Sequence, residues 1–155
     1  MKNIKICFAA STGGHFEQLM MLKQLMKKYN SFILTEKTHY EVKKSKEIKV
    51  YKVGQVNRKQ AIFPIKMLIN AIKSLIVFIK ERPNLVITTG VLAIIPMCLI
   101  VKLFGGKLIY IESFAKISSP TLTGKFLYKY ADQFYVQWES MLEIYPDAIY
   151  KGGIY

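Results

Sequence analysis

The stretch Ala9-Ala10-Ser11-Thr12-Gly13-Gly14-His15-Phe16-Glu17 joins two segments with different hydrophobic patterns. An apolar run, Ile4 to Ala10, precedes it. Apolar residues at helical spacing follow it, namely Phe16, Leu19, Leu22 and Met26. A buried strand, a glycine turn and a helix in this order form the first unit of a Rossmann-like sheet. The stretch therefore predicts an α/β fold.

The glycine pair predicts a binding site for a phosphate or diphosphate. Gly13 and Gly14 can adopt backbone angles that other residues resist, and they let a ligand approach the main chain. The first N–H groups of a helix have no intrahelical partner and attract anions. Ser11 and Thr12 belong to this predicted site, or one of them caps the helix. A tight turn without a ligand is the alternative, and the missing P-loop and dinucleotide motifs exclude a typical ATP or nicotinamide site.

The charge of the chain limits its partners. Net charge is +13, and 21 of the 23 basic residues are lysines. Lysines beside apolar segments favour an anionic membrane surface. We do not expect nucleic acid as the partner, because base and phosphate recognition favours arginine. A soluble, lysine-coated surface without a special partner is the alternative.

Length and composition indicate one domain, residues 1–155, with enough apolar residues for a core. Cys7 and Cys98 lie in apolar runs, so we predict buried free thiols in a reducing compartment. The two histidines, His15 and His39, have no ligand cluster around them in the sequence. We therefore expect neither a metal nor a cofactor.

Strand-like and helix-like segments alternate along the rest of the chain. Strands are predicted at 31–35, 48–53, 85–89, 107–111 and 133–137. Helices are predicted at 61–80, 91–104 and 125–130, with a helical turn at 138–145. A surface loop or frayed helix is predicted at 36–46, and a loop at 118–124. This alternation predicts a mainly parallel, six-stranded sheet with helices on both faces. Ligands of such sheets bind beyond the carboxyl ends of the strands, where the polar residues of this chain collect.

The helix predicted at 61–80 is almost entirely apolar. Its narrow polar stripe consists of Lys66, Asn70 and Lys73. A helix of this kind is either buried or in contact with something apolar. We expect a core-packed crossover helix, and partial contact with lipid or a partner subunit is the alternative.

Several segments together carry a family resemblance. They are Ser11 to His15, Thr89-Gly90 before an apolar helix with Pro96, Ile109-Tyr110-Ile111-Glu112-Ser113, Leu122-Thr123-Gly124-Lys125 and Val136-Gln137-Trp138. Over almost the whole chain this pattern resembles the Alg14-like family and the bacterial PssD and CpsF polysaccharide proteins. The Ile-Glu-Ser and Leu-Thr-Gly-Lys segments are specific, whereas MurG-type transferases share the glycine loop.

The resemblance implies the N-terminal half of a GT-B glycosyltransferase, supplied as a separate chain. Such a subunit holds a polyprenyl-diphosphate-linked acceptor, and a second chain binds the UDP-sugar. The polysaccharide relatives imply capsular or exopolysaccharide biosynthesis. Eukaryotic relatives carry an N-terminal membrane helix, but this sequence begins directly at its first strand. We therefore expect peripheral attachment at the cytoplasmic face of the plasma membrane rather than an integral span.

The resemblance also suggests roles for the polar residues near the strand ends. His15 is the first candidate for the base that deprotonates the acceptor hydroxyl. Glu112 is the second candidate, with a structural hydrogen bond to a neighbouring loop as an equal alternative. Lys116 and Lys125 are expected to add positive charge at the diphosphate.

A further set is expected at the acceptor sugar or the partner interface: Glu17, Gly90, Ser113, Gln137 and Trp138. Gly90 should permit close approach of the sugar or the partner. Glu17 could instead favour the helix dipole, and Trp138 could pack in the core. Two other functions stay open: a non-catalytic membrane scaffold for the partner transferase, and an independent nucleotide- or nucleic-acid-binding domain.

Overall fold

The computed structural model describes residues 4–37 and 48–155. Within them, seven strands form one sheet in the order β3-β2-β1-β4-β5-β6-β7, and all neighbours are parallel. The strands are β1 (Lys5–Ala10), β2 (Asn30–Glu36), β3 (Lys49–Val53), β4 (Leu85–Gly90), β5 (Lys107–Ile111), β6 (Gln133–Val136) and β7 (Ile149–Tyr150). The five helices are α1 (Gly14–Met20), α2 (Lys23–Lys28), α3 (Phe63–Glu81), α4 (Ile95–Leu103) and α5 (Leu122–Leu127).

Helices cover both faces of the sheet, so the predicted α/β fold is confirmed. One core cluster joins the strands to α3, α4 and α5, and a second joins them to α1 and α2. Successive strand residues belong to opposite faces. In β2, Phe32 and Leu34 lie in the first cluster and Ile33 in the second. On the second face, an apolar groove of about 350 Å³ lies between Leu25 of α2, Ile109 and Ile111 of β5, and residues 151–154.

Some predicted element boundaries are wrong. The helical pattern after the glycine turn forms two helices, because the N–H groups of Met21 and Leu22 bond three residues back and end α1. The helix predicted at 91–104 is a 3-10 turn (Leu92–Ile94) followed by α4. The sheet has a seventh strand, β7, which contains only two residues.

The helix predicted at 125–130 begins earlier, inside the predicted loop. The Thr121 side chain accepts a hydrogen bond from the Gly124 N–H at 2.9 Å and caps α5. The predicted loop at 36–46 also differs in part, because Glu36 belongs to β2. The rest of that loop, apart from Lys37, lies outside the described residues.

The expected core packing of α3 is confirmed only along a narrow stripe of the helix. Its buried residues are Asn70, Ser74, Val77 and Glu81, most of them polar. The Asn70 side chain bonds to both backbone groups of Gly54, donating to the carbonyl at 2.7 Å and accepting from the N–H at 2.8 Å. Asn70 faces inward, and Val77 and Phe78 join the first core cluster, but most apolar residues of α3 face outward. Eight apolar residues at or next to the helix are exposed: Ile62, Ile65, Leu68, Ile69, Ile72, Leu75, Ile76 and Ile79.

Membrane-spanning helices are absent from the part of the chain that the structure describes: none of its helices is both long and apolar enough to cross a bilayer.

Candidate functional site

The glycine turn lies at the carboxyl edge of the sheet, between the end of β1 and the start of α1. Gly13 has φ of 78°, a conformation that favours glycine. A side chain added at Gly13 or Gly14 would meet no atom within 4 Å, so the space beside both residues is open. No described residue accepts a hydrogen bond from the N–H of Gly14 or His15. The turn thus presents free amides to an open surface.

Ser11 and Thr12 do not cap α1. The Ser11 side chain is buried and donates to the Thr12 carbonyl at 3.2 Å. Helix α1 has no side-chain cap and contains only seven residues. An anion at this turn would therefore depend on the free amides more than on the dipole of a long helix.

His15 is held over the end of β4. Its carbonyl accepts a hydrogen bond from the Thr89 hydroxyl at 2.8 Å. Its Nδ1 atom is buried and has no hydrogen-bond partner among the described residues. Cε1 of the ring would lie 3.9 Å from a side-chain carbon added at Gly90. The ring therefore lies where β1 and β4 end, as the site prediction requires.

The sequence predicts that Gly90 permits close approach of the sugar or the partner subunit. In the structure, the residue closest to Gly90 on its open side is Tyr110. Gly90 is buried and has φ of 105°. A side-chain carbon here would lie 2.8 Å from the Tyr110 hydroxyl. The close approach that glycine permits is therefore that of Tyr110, within the protein itself.

Glu112 is 1% exposed, and its carboxylate is occupied by hydrogen bonds from the following loop. It accepts from the Ser113 N–H at 2.8 Å, from both the N–H and the hydroxyl of Thr121, and from the Tyr145 hydroxyl at 3.0 Å. A carboxylate has about four acceptor positions, and all are used here. This geometry supports the structural alternative for Glu112 over the role of a base.

The hydrogen-bond network continues through two buried tyrosines. Tyr110 shares a hydrogen bond with the Thr121 hydroxyl at 3.0 Å. Burial, together with the nearby charge of Glu112, raises the pKa of both Tyr110 and Tyr145, so both hydroxyls remain protonated. A side-chain carbon at Gly124 would lie 2.2 Å from a Glu112 oxygen. The Ile-Glu-Ser and Leu-Thr-Gly-Lys segments therefore meet in one structural network.

Two buried glutamines hold the Glu112 backbone. Gln18 of α1 and Gln137 both donate to the Glu112 carbonyl, at 3.1 and 2.7 Å. The side-chain oxygen Oε1 of Gln137 accepts from the Ile154 N–H at 2.9 Å. Gln137 thus links β5 to the C-terminal residues. Sequence reasoning missed Gln18, because a polar residue in a helical pattern is usually solvated.

Trp138, which follows β6, is half-buried: it packs against the first core cluster and contacts the loop after β5. Its indole N–H donates to the Phe114 carbonyl at 2.6 Å, and the two rings lie 4.9 Å apart. Ser113 lies in the same loop, and its carbonyl accepts from the Lys116 N–H at 2.9 Å. The loop therefore brings Ser113, Lys116 and Trp138 together near the end of β5.

The remaining predicted residues lie on the surface. Glu17 and Lys125 are exposed, on α1 and α5 respectively. Neither Lys116 nor Lys125 forms an ion pair with any residue in the described ranges, so their charge is not neutralised there. Within 4–37 and 48–155, no group of three or more His, Cys, Asp or Glu side chains could hold a metal ion.

A family model described as oligosaccharide biosynthesis protein Alg14 like matches residues 6–154. The chain belongs to this family. Among curated relatives, UDP-N-acetylglucosamine transferase subunit ALG14 of Rattus norvegicus is 34% identical over 81 residues, covering 48% of this chain and 38% of the relative. The subunit of the same name from Kluyveromyces lactis is 50% identical over 46 residues, or 30% of this chain and 20% of the relative. The matched segments thus cover less than two-fifths of these relatives.

Solved structures share the fold at lower identity. MurG of Acinetobacter baumannii has a TM-score of 0.74 and 20% identity over 88% of this chain and 42% of that protein. A glycosyltransferase from Rickettsia africae has a TM-score of 0.69 and 15% identity over 98% of this chain and 43% of that protein. This chain therefore has the fold of one Rossmann-like lobe of proteins more than twice the length of the matched part.

Proposed function

We propose that this protein is the acceptor-binding subunit of a two-chain, UDP-sugar-dependent glycosyltransferase. It binds a saccharide linked to polyprenyl diphosphate at the membrane and recruits a donor-binding subunit. The context is capsular or exopolysaccharide biosynthesis, at the cytoplasmic face of the plasma membrane. The relatives named as subunits of a UDP-N-acetylglucosamine transferase support a role shared with a second chain.

The open glycine turn is the observation that carries this proposal. Free N–H groups at Gly14 and His15 suit the oxygens of a diphosphate, because phosphate groups bind to unpaired backbone amides. Lys116 and Lys125 form no ion pair among the described residues, so their charges contribute to the positive field that attracts a diphosphate.

His15 is the proposed base for the transfer step. The acceptor hydroxyl loses its proton to the imidazole as its oxygen attacks the anomeric carbon of the UDP-sugar, and UDP leaves. The ring lies at the carboxyl edge, directly after the proposed diphosphate loop, and one of its nitrogens has no partner among the described residues. Glu112 is not proposed as the base, because its carboxylate is fully used in the hydrogen bonds that hold the loop after β5.

The exposed face of α3 is the proposed membrane surface. It carries the eight exposed apolar residues of that helix, and Leu103 and Phe104 at the end of α4 extend it, with exposures of 81% and 63%. Phe104 stacks on Phe78 of α3 at 4.8 Å, so the two parts are continuous. Lys73 and Lys80 are also exposed on α3 and suit anionic lipid headgroups.

The position of α3 determines where the glycine turn would lie relative to the membrane. The 19 residues of α3 span about 28 Å, and the helix begins at the carboxyl edge of the sheet. Its exposed apolar residues run from Ile62 to Ile79, along the whole length. If this face lies flat on the lipid, the carboxyl edge opens beside the headgroups. A membrane-embedded acceptor then reaches the glycine turn without leaving the bilayer.

Reconstitution with a donor-binding subunit tests the proposal. We expect the vesicle-bound pair to transfer sugar from at least one of several UDP-sugars to a polyprenyl-diphosphate-linked acceptor, and each chain alone to transfer none. His15→Ala should bind the partner normally and lose transfer. Transfer by the isolated chain, or no transfer by the pair with any donor, contradicts the proposal. Full transfer by His15→Ala supports the scaffold alternative instead.

A further inference from the structure

Three of the buried side-chain atoms without partners belong to residues near the carboxyl edge of the sheet. The structure shows four such side-chain atoms among the described residues: His15 Nδ1, Thr35 Oγ1, Glu36 Oε1 and Ser74 Oγ. Ser74 lies in the middle of α3. Thr35 and Glu36 end β2, with their side chains on opposite faces of the sheet, and His15 follows the glycine turn. Buried polar groups are nearly always hydrogen-bonded, so an unpartnered atom at this edge is a candidate contact for a ligand.

Of these residues, Glu36 is the strongest candidate for a ligand contact. It is the last residue of β2 and is only 4% exposed. The preceding residue, Thr35, pairs with Ala10, the last residue of β1 before the glycine turn. Adjacent strands are about 4.8 Å apart, so Glu36 lies one strand away from the proposed diphosphate loop.

The surroundings of Glu36 restrict the ligand chemistry. Burial raises the pKa of Glu36, and the facing N–H of Val56 opposes this only in part. A carboxyl oxygen here would repel phosphate oxygens and needs a hydrogen-bond donor. The described residues supply no cation to it. A neutral sugar hydroxyl fits these requirements, and the end of β2 is the neighbour of the strand that leads into Gly13 and Gly14.

We infer that Glu36 binds a hydroxyl group of the acceptor saccharide. This inference rests on the proposed function and assigns the sugar subsite to the end of β2. It also replaces the carboxylate that the sequence suggested: Glu112 has no acceptor position left, whereas Glu36 has an oxygen without a partner.

Stability measurements separate this role from a structural one. A buried carboxyl oxygen without a partner destabilises the free protein, because its lost hydration is not replaced. Glu36→Gln should therefore unfold in urea at the same or a higher midpoint than the wild type. Ser74→Ala is the matched control, since it removes a buried unpartnered atom that belongs to α3 and not to the strand ends.

Binding of paired probes tests the ligand. The probes are farnesyl diphosphate and the same diphosphate carrying glucose, galactose or N-acetylglucosamine, titrated calorimetrically into the whole chain. In the wild type and Ser74→Ala, the best sugar-bearing probe should bind about tenfold more tightly than farnesyl diphosphate, the effect of one hydrogen bond to a charged group. Glu36→Gln should bind farnesyl diphosphate normally and lose this preference for the sugar.

The possible outcomes separate the two proposals. If farnesyl diphosphate binds but no sugar increases its affinity, or if Glu36→Gln keeps the sugar preference, the inference about Glu36 is wrong and the proposed acceptor site stands. A lower unfolding midpoint of Glu36→Gln with an unchanged sugar preference assigns Glu36 a structural role and also overturns the inference. If no probe binds, the proposed function fails, and the sugar subsite fails with it.

Discussion

At the scale of single residues, Glu112 organises the loop after β5. It accepts hydrogen bonds from two backbone N–H groups and two hydroxyls, with no water-exposed position left. Glu112→Gln replaces one acceptor oxygen by an NH₂ group, which faces donors of Ser113 or Thr121. We expect the free energy of unfolding in urea to fall by about 2–4 kcal/mol, because buried donors lose their partner.

Two variants calibrate this prediction for Glu112. Tyr145→Phe removes one of the hydrogen bonds and should cost about 1 kcal/mol. Glu143→Gln changes an exposed carboxylate and should change the free energy of unfolding by less than about 0.5 kcal/mol. A Glu112→Gln protein as stable as Glu143→Gln would contradict the structural role.

Gly14 provides a residue-scale test of the diphosphate loop. Neither packing nor a positive φ requires glycine there, since the adjacent space is open. In a helix, alanine is more favourable than glycine by up to about 1 kcal/mol, so Gly14→Ala should not lower the unfolding midpoint. A methyl group beside the free amides should nevertheless obstruct the acceptor. We expect the kcat/KM of the reconstituted pair for the acceptor to fall about tenfold or more, as for one lost charge-assisted hydrogen bond.

Gly124→Ala is the comparison variant for Gly14→Ala, and its expected effect on stability is the opposite. A side-chain carbon there would collide with Glu112, so Gly124→Ala should lower the unfolding midpoint as well as transfer. If Gly14→Ala transfers as well as the wild type, the turn does not bind the acceptor through its amides.

The sequence predicts the place of the glycine turn but not the surroundings of the two carboxylates, for physical reasons. The glycine turn has a local signature, because a short segment determines it. The difference between Glu112 and Glu36 is not local. Both follow apolar strands, and only the packing of Thr121 and Tyr145 around Glu112 shows which carboxylate is fully bonded.

At the scale of elements, the central strands were predictable and the orientation of α3 was not. Parallel strands covered on both faces are continuous apolar runs, which made β1, β4 and β5 evident. The outward face of α3 depends on Asn70, which bonds to the linker at Gly54. This contact joins residues 16 positions apart and leaves no trace in helical periodicity.

The C-terminal end of α3 is joined to the sheet by Glu81. This buried carboxylate receives hydrogen bonds from Lys5 of β1 and from Tyr51 and Lys49 of β3. Burial alone would raise the pKa of Glu81, but these hydrogen bonds and the charge of Lys5 outweigh it and lower the pKa from 4.5 to about 2. The carboxylate therefore stabilises the fold more strongly in its ionised form.

We expect this contribution of Glu81 to depend on pH in a defined window. Because the pKa is lower in the folded state, the stabilisation is complete above about pH 4.5 and disappears as the pH falls towards 2. Glu81→Gln should be less stable than the wild type by about 3 kcal/mol at pH 7, at about 1.4 kcal/mol per pKa unit. Urea titrations of both proteins from pH 7 to pH 2.5 should converge, and a constant difference would contradict the assignment.

At the scale of the whole molecule, two attractions act at the proposed membrane surface. The apolar face of α3 contributes by burial in lipid and does not depend on salt. The net charge of +13 acts on anionic headgroups over roughly 10 Å at 0.1 M salt and is screened at higher salt. Binding to vesicles should therefore have two parts. One depends on the apolar face of α3 and not on salt, and the other depends on charge and weakens as salt rises.

Sedimentation with vesicles measures these two parts of membrane binding. On anionic vesicles, raising the salt from about 0.1 M to 1 M, where the screening length falls to about 3 Å, should weaken binding of the wild type severalfold. On zwitterionic vesicles the same change should have little effect. The double variant Leu68→Gln/Ile72→Gln removes two side chains of the α3 face and should weaken binding to both vesicle types about tenfold or more. Met21→Gln, an exposed apolar residue outside α3, is the matched control and should bind normally. Equal losses for the control and the double variant would show that general apolarity, and not α3, holds the protein on lipid.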